Sequence, residues 1–229
     1  MSLLLSIETS TLGCSVALHE QRKLLHSVET QVPQSASAQL AVMIQKVLNE
    51  SRKKPAELKG VVVAAGPGSY TGLRIGVATA KGLCYALEIP LISINTLELL
   101  AYQFINSKKI EPGSSLLCPM LDARRMEVYT ILLNAQLNIL RPTEAKVIDD
   151  TSYVDLLENN SVYFFGDGAA KCQEFIKHPN AHFVSDIIPL ASYLGEMGFE
   201  KWTKNQFEDI ALFEPYYLKD FLIRKPITV

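Results

Sequence analysis

This 229-residue sequence has no charge imbalance to exploit. Lysine and arginine number 22 against 24 aspartates and glutamates, a formal net charge of -2, so no overall basic field draws the chain onto nucleic acid. Any RNA it serves is expected to be held mainly by a partner. Cysteine is also scarce: Cys14, Cys84, Cys118 and Cys172 are far apart and form no C-x-x-C pair. Scattered thiols of this kind are expected as buried small apolar residues in a reducing compartment. No apolar run approaches the roughly 20 residues of a membrane span. The opening MSLLLSIETS lacks a basic segment, and its apolar run is too short for a signal peptide, so a cytoplasmic location with no membrane partner is expected. The only H-x-x-x-H is His178 to His182, and Pro179 and Asn180 mark it as a turn rather than a helix. No metal is expected there. His19 and His26 lie on early strand-like runs and are expected at the surface. No Ser, His and Asp set points to a hydrolase triad.

What remains is an ordinary globular composition, 48% hydrophobic and 20% charged, in a chain long enough for one large domain or two small ones. Leu3 to Glu8 and Cys14 to His19, separated by TSTLG, read as a hairpin. Lys23 to Thr30 is a third, less regular strand. A helix is predicted from about Ser35 to Ser51, with Leu40, Ile44, Val47 and Leu48 on one face. GVVVAA at 60–65 reads as a buried central strand. GPGSYTG, a helix to about Leu87, a strand from Pro90 to Ile94 and a helix capped by Thr96 complete the first half. Strand and helix order there matches one half of the actin-like ATPase fold, by analogy of layout.

The second half repeats this plan in reduced form. Leu116 to Leu121 and Glu127 to Leu133 form another hairpin, opened by Asp122. Ser161 to Phe165 runs into Gly166-Asp167-Gly168 and a helix. A duplicated domain accounts for the echo. The expected division is a first lobe of residues 1–98, joined by a C-terminal helix at about 203–217, and a smaller lobe of residues 99–202. The loop between lobes is placed at 108–115. The tail FEPYYLKDFLIRKPITV reads as a segment docked by its tyrosines with a solvated end.

Gly66-Pro67-Gly68-Ser69-Tyr70-Thr71-Gly72-Leu73-Arg74-Ile75-Gly76 is the most specific segment. Two readings stand. A strand entering a glycine-rich turn and a helix N-terminus could receive a phosphate on exposed amides, although the P-loop lysine is missing. The same residues also make a tight turn capped by Ser69 or Thr71. Gly72, Gly76 and Ala80 then recur every four residues, a smooth stripe that another helix could approach closely. Glu8 and Asp122 open the two hairpins and read either as cleft acids or as residues bonding turn amides. Arg124 and Arg125 could bind a phosphate or an acidic partner surface, or simply be solvated.

GPGSYTGLRIG resembles the GPGSFTGLRIG signature of the TsaB family, with Tyr70 for phenylalanine. IETST and DARRMEVY resemble that family's IDTST-like and DARRGEVY-like elements, with Glu8 and Met126 departing from the usual residues. The likeness extends over nearly the whole chain. It implies an α/β, actin-like ATPase fold (ribonuclease H-like) of two similar lobes, each a mixed sheet flanked by helices. It also implies a non-catalytic subunit in the synthesis of threonylcarbamoyladenosine in tRNA. Such a subunit pairs with the catalytic TsaD and helps recruit the ATPase TsaE. It forms a homodimer when alone and meets tRNA only through the complex. No cofactor is expected of the subunit itself. Leu40, Met43, Val47, Gly76, Ala80, Leu83 and Leu87 on the first two helices are the expected partner interface. Glu8, Ser10, Gly66, Gly68, Ser69, Asp122, Gly166 and Gly168 are the residues of any degenerate nucleotide site. TsaD-like proteins carry two metal-binding histidines in N-H-x-E-G-H, and Thr96 and Leu100 stand in their places here. The alternative is a stand-alone actin-like ATP-dependent enzyme; a metallopeptidase is disfavoured by the missing histidines.

Overall fold

Leu3–Glu8 (β1) is buried along its whole length, because both faces of its sheet are covered. The structure, a computed structural model, describes residues 2–33, 35–108 and 115–219. Around β1 lie Cys14–Glu20 (β2), Lys23–Thr30 (β3), Gly60–Gly66 (β4) and Leu91–Asn95 (β5), in the order β3-β2-β1-β4-β5. β2 runs antiparallel to β1 and to β3, while β4 runs parallel to β1 and to β5.

Alternate residues point to opposite faces of a strand, and the two cores divide accordingly. Leu3, Leu5, Ile7, Val61 and Val63 face Ala36–Glu50 (α1) and Tyr70–Leu87 (α2). Leu4, Val62, Ala64, Ile92 and Ile94 face the other way, with Leu99 of Thr96–Ser107 (α3) and Leu194 of the last helix. Burial on both sides explains the unbroken apolar run of GVVVAA.

The second sheet has the same order with every sense preserved. It comprises Ser115–Asp122 (β6), Glu127–Asn134 (β7), Ile139–Val147 (β8), Ser161–Phe165 (β9) and Ala181–Val184 (β10), arranged β10-β9-β6-β7-β8. β6 and β9 are parallel, as are β9 and β10, while β6, β7 and β8 pair antiparallel. The repeat read in the sequence is therefore a duplicated topology, the two-lobed actin-like arrangement. Its reduction is in the helices: α1 and α2 have as counterparts only Val154–Leu157 (α4) and Ala169–Cys172 (α5).

Several sequence expectations need correction. The helix joining the first lobe is Ala191–Thr203 (α6), not 203–217. Residues 204–219 form no helix and run as a strap. Glu208 N donates to Leu91 O at 2.9 Å and Tyr216 N to Ala65 O at 2.7 Å. Two glycines hide α6 in the sequence, since each lowers helix propensity, yet both are needed. A Cβ on Gly198 would stand 2.4 Å from Val62 Cγ2, and one on Gly195 would stand 2.1 Å from His19 Nδ1. His19 is correspondingly buried beneath α6, not at the surface, and His26 is half-buried.

The division at 98/99 falls inside α3. That helix turns Leu99 to the first sheet and Leu97, Leu100, Ala101 and Phe104 to the second. Phe104 stacks on Phe165 with ring centroids 4.2 Å apart, so α3 belongs to both lobes. Its cap is Asn95, whose Oδ1 accepts from Leu97 N at 2.8 Å, and Thr96 is the first helical residue. β8 escapes notice because it is an edge strand with alternating exposure and contains Pro142, which edges tolerate. The expected inter-lobe loop at 108–115 and the tail after 219 lie largely outside the described residues. The described part of the tail is docked as expected, Tyr217 lying 4.9 Å from Tyr70, centroid to centroid.

Candidate functional site

The glycine-rich turn closes on the chain's own backbone. Ser69 caps α2, its Oγ accepting from Gly72 N at 3.3 Å. Ser69 N donates to the Ser10 carbonyl at 2.6 Å, and Thr9 Oγ1 donates to Gly72 O at 2.8 Å. A Cβ on Gly68 would lie 2.3 Å from Ser10 O, one on Gly72 2.0 Å from Thr9 O, and one on Gly76 2.2 Å from Thr9 Oγ1. Space-making at these positions thus serves the Thr9-Ser10 segment. The reading of the stripe as room for another helix is corrected on that ground. Of the two readings of the turn, the capped turn is the one the hydrogen bonds describe: the Ser69 and Gly72 amides are already committed.

Glu8 lies at the end of β1, 1% exposed. Ser10 donates to its Oε1 from the backbone N at 2.7 Å and also from its hydroxyl. Burial pushes the Glu8 carboxyl up to about 7; the Ser10 bonds pull it down, and the Asp167 carboxylate adds a small push upward. That coupling brings Asp167 into the cleft group. Nothing in the local sequence pattern sets Asp167 apart, although it lies between Gly166 and Gly168.

The second lobe repeats the device. Gly166, at φ 101°, and Gly168 fit against the end of β6, where a Cβ would meet Met120 O at 2.3 Å and Leu121 C at 2.7 Å. Asp122 N donates to Asp167 Oδ1 at 3.0 Å. Protein atoms crowding the Asp167 carboxyl raise its pKa, although the residue keeps exposed surface. Asp122 accepts from Arg124 N at 3.0 Å and from Lys171 Nζ. Lys171 also donates to the carbonyls of Arg125 and Glu127, each at 2.7 Å. The eight residues expected around a nucleotide therefore fall into two clusters. Glu8, Ser10, Gly66, Gly68 and Ser69 form one, and Asp122, Gly166 and Gly168 the other, which Asp167 joins through its bond to Asp122. In both, the acids and glycines bind turn backbone.

The α1/α2 face differs from expectation. Leu40, Met43, Val47, Gly76 and Ala80 are buried within the lobe's own core, and Leu83 and Leu87 are only partly covered. Most of the larger apolar side chains turn to the sheet, leaving small residues and the larger Val42 and Tyr85 outside. Ala38, Ala41 and Val42 of α1 and Ala78, Gly82, Tyr85 and Ala86 of α2 are exposed, Val42 at 64% and Tyr85 at 81%.

A family model described as TsaD, tRNA N6-adenosine threonylcarbamoyltransferase, matches residues 23–220. The chain is also 31% identical over 195 residues to the tRNA threonylcarbamoyladenosine biosynthesis protein TsaB of Bacillus subtilis, covering 84% of this chain and 79% of that one. This chain belongs to the TsaB family. The TsaB protein of Haemophilus influenzae is 25% identical over 227 residues, covering 95% of this chain and 93% of its own. The solved structure of YeaZ from Pseudomonas aeruginosa superposes with a TM-score of 0.80 at 24% identity, covering 95% of this chain and all of that one, which establishes the shared fold. At the positions where the resemblance puts the two histidines of TsaD, Thr96 is buried with a hydroxyl lacking a hydrogen-bond partner among the described residues. Leu100 is sealed in the inter-lobe core. Neither side chain offers a nitrogen ligand. Among the described residues no three His, Cys, Asp or Glu gather as a metal cluster, and no helix is long and apolar enough to cross a membrane.

Proposed function

We propose that this TsaB-family chain serves tRNA threonylcarbamoyladenosine biosynthesis as a non-catalytic subunit. It docks the outer face of α1 and α2 onto a TsaD-like catalytic partner, and the pair recruits a TsaE-like ATPase. The observation that carries this reading is the exposure of Val42 and Tyr85 together with small apolar residues of the same two helices. A tyrosine so exposed on a smooth apolar surface is an anchor of the kind found at interface centres. The same face, being self-complementary about a two-fold axis, pairs two copies when the partner is absent.

The subunit works without a metal or nucleotide of its own in this reading. Support comes from Ser10, whose carbonyl takes the Ser69 amide, and from Glu8, whose carboxyl is buried and held by Ser10. Its task is then positional, holding the partner's catalytic lobe in one arrangement.

Size-exclusion chromatography with light scattering, alone and with the same organism's TsaD, tests the reading. A 1:1 complex that is lost on Tyr85→Glu or Val42→Asp is the expected result. Failure to associate, together with magnesium-dependent ATP hydrolysis by the isolated chain, would overturn it in favour of a stand-alone enzyme.

A further inference from the structure

Arg124 and Arg125, in the turn between β6 and β7, both hold positive φ, 67° and 48°. Asparagine and glycine adopt that backbone at lower cost. The local structure gains nothing visible from two arginines here. Lys171 already serves the turn's carbonyls and Asp122. Neither guanidinium forms an ion pair among the described residues, and both residues are exposed. Two adjacent exposed guanidinium groups without an ion partner among the described residues are available to an external contact.

Their neighbours extend the pattern. Lys219 Nζ lies 5.9 Å from the Tyr129 ring centroid. Burial raises the Tyr129 pKa; the Lys219 and Arg124 charges oppose that rise and the Glu127 charge adds to it. Two residues before Lys219, Tyr217 packs on Tyr70, and the guanidinium of Arg74 lies 5.4 Å over the Tyr70 ring. The strap thus strings cations and aromatic rings across the rim from the first lobe to the second. Two of the nearby acids are engaged, Glu127 with Lys219 and Asp122 with Lys171, leaving Asp167 beside Asp122 and Glu214 near Tyr217.

We infer that this rim is a contact surface for single-stranded RNA, with Arg124 and Arg125 on phosphates and the Tyr70–Tyr217 pair against a base. The inference rests on the tRNA role proposed above. Cations interleaved with rings fit a nucleic-acid strand, which offers both phosphates and stacking faces. An acidic protein surface would use the charges as well, and the partner-binding arm of the test below separates it from RNA. With a net charge of -2 on the whole chain, the contact is local and adds to what a catalytic partner supplies.

The test uses a fluorescent tRNA anticodon stem-loop, with anisotropy read against salt for the full chain alone and mixed with its TsaD. The paired variant Arg124→Asn with Arg125→Gly suits the turn better, so its melting temperature should hold or rise. Its RNA affinity should nevertheless fall about tenfold, with the slope of log affinity against log salt smaller by about 1.4, two phosphate contacts to a single strand. Tyr217→Ala should weaken binding about tenfold with the salt slope unchanged. Unchanged affinity and slope in the arginine variant would overturn the inference, as would no RNA binding by wild type at low salt. It is equally overturned if the arginine variant loses TsaD while keeping RNA. If wild type never pairs with TsaD, the subunit reading fails, and the arginine comparison is still decided on the chain alone.

Discussion

His19 on β2 places its Nε2 2.9 Å from the carbonyl oxygen of Ser192 on α6, 173 positions away. Beside it, Ser15 Oγ accepts from Ala191 N at 2.9 Å. The helix that follows the second lobe's last strand is thereby fixed on the first lobe's sheet, so the chain returns to its first lobe after completing the second. Gly195 lets the helix lie flat on the imidazole. Gly195→Ala should destabilise the chain by about 1–3 kcal/mol through overpacking, measured by urea unfolding. The cost should shrink in a His19→Ala background, since the clash partner is gone. Equal costs in the two backgrounds would mean that the imidazole is not what the methyl strikes.

Glu8 gives stability a pH dependence of known sign. Its carboxyl is raised from 4.5 to about 7 on folding, mainly by burial, so the folded chain holds that proton more tightly than the unfolded one. Its contribution is full below about 4.5 and is lost as pH rises through about 7. The difference amounts to about 3 kcal/mol at most. His19 has the opposite sign: burial lowers its pKa, so its contribution is present above 6.5 and is lost as pH falls. Glu8→Gln should therefore be more stable than wild type at pH 8, with the gap closing toward pH 5. A constant gap between pH 5 and 8 would show that Glu8 does not change its protonation there.

The α1/α2 face separates interface from core. Tyr85→Glu and Val42→Asp should leave the melting temperature within about 2 °C, as exposed substitutions do, while ending association with the partner. Ala80→Arg should instead prevent folding, because Ala80 is fully buried against the sheet and an unpaired charge there has no water. Circular dichroism and light scattering on the same three samples check both halves. A well-folded Ala80→Arg chain would show that α2 can turn away from its sheet.

All four thiols are free and buried. Burial pushes Cys84 up to about 12 and Cys118 and Cys172 up to about 11, and it raises Cys14 as well. The reactive thiolate is therefore scarce. An aromatic disulfide reagent at pH 8 should release almost no chromophore from the native chain and four equivalents in denaturant. Rapid release of one equivalent without unfolding would identify a thiol held differently.

Much of this was legible in order and pattern. The buried strands announced themselves by unbroken apolar runs, GVVVAA above all, and α1 by its repeat of Leu40, Ile44, Val47 and Leu48. The duplicated sheet was visible as a hairpin, strand and glycine pair occurring twice. GPGSYTGLRIG pointed to the family before any coordinate. Such signals are local, because a strand's burial and a turn's glycine are written in neighbouring residues.

Direction and pairing between distant segments were not so written. Periodicity showed that α2 is apolar nearly all round. It did not show that Ala80 faces the sheet while Tyr85 faces solvent, because both are consistent with the same sequence until the sheet is in place. Gly72 and Gly76 looked like room for a partner helix and proved to be room for Thr9, 63 residues from Gly72 along the chain. The return of α6 to the first lobe, the service of α3 to both, and the strap from Glu208 to Lys219 depend on contacts between segments that share no local pattern. Sequence alone determined most of the strands, the glycine-rich turns and the family. Only the tertiary structure decided which face each helix hides, because burial belongs to a pair of surfaces and one stretch of sequence contains only one of them.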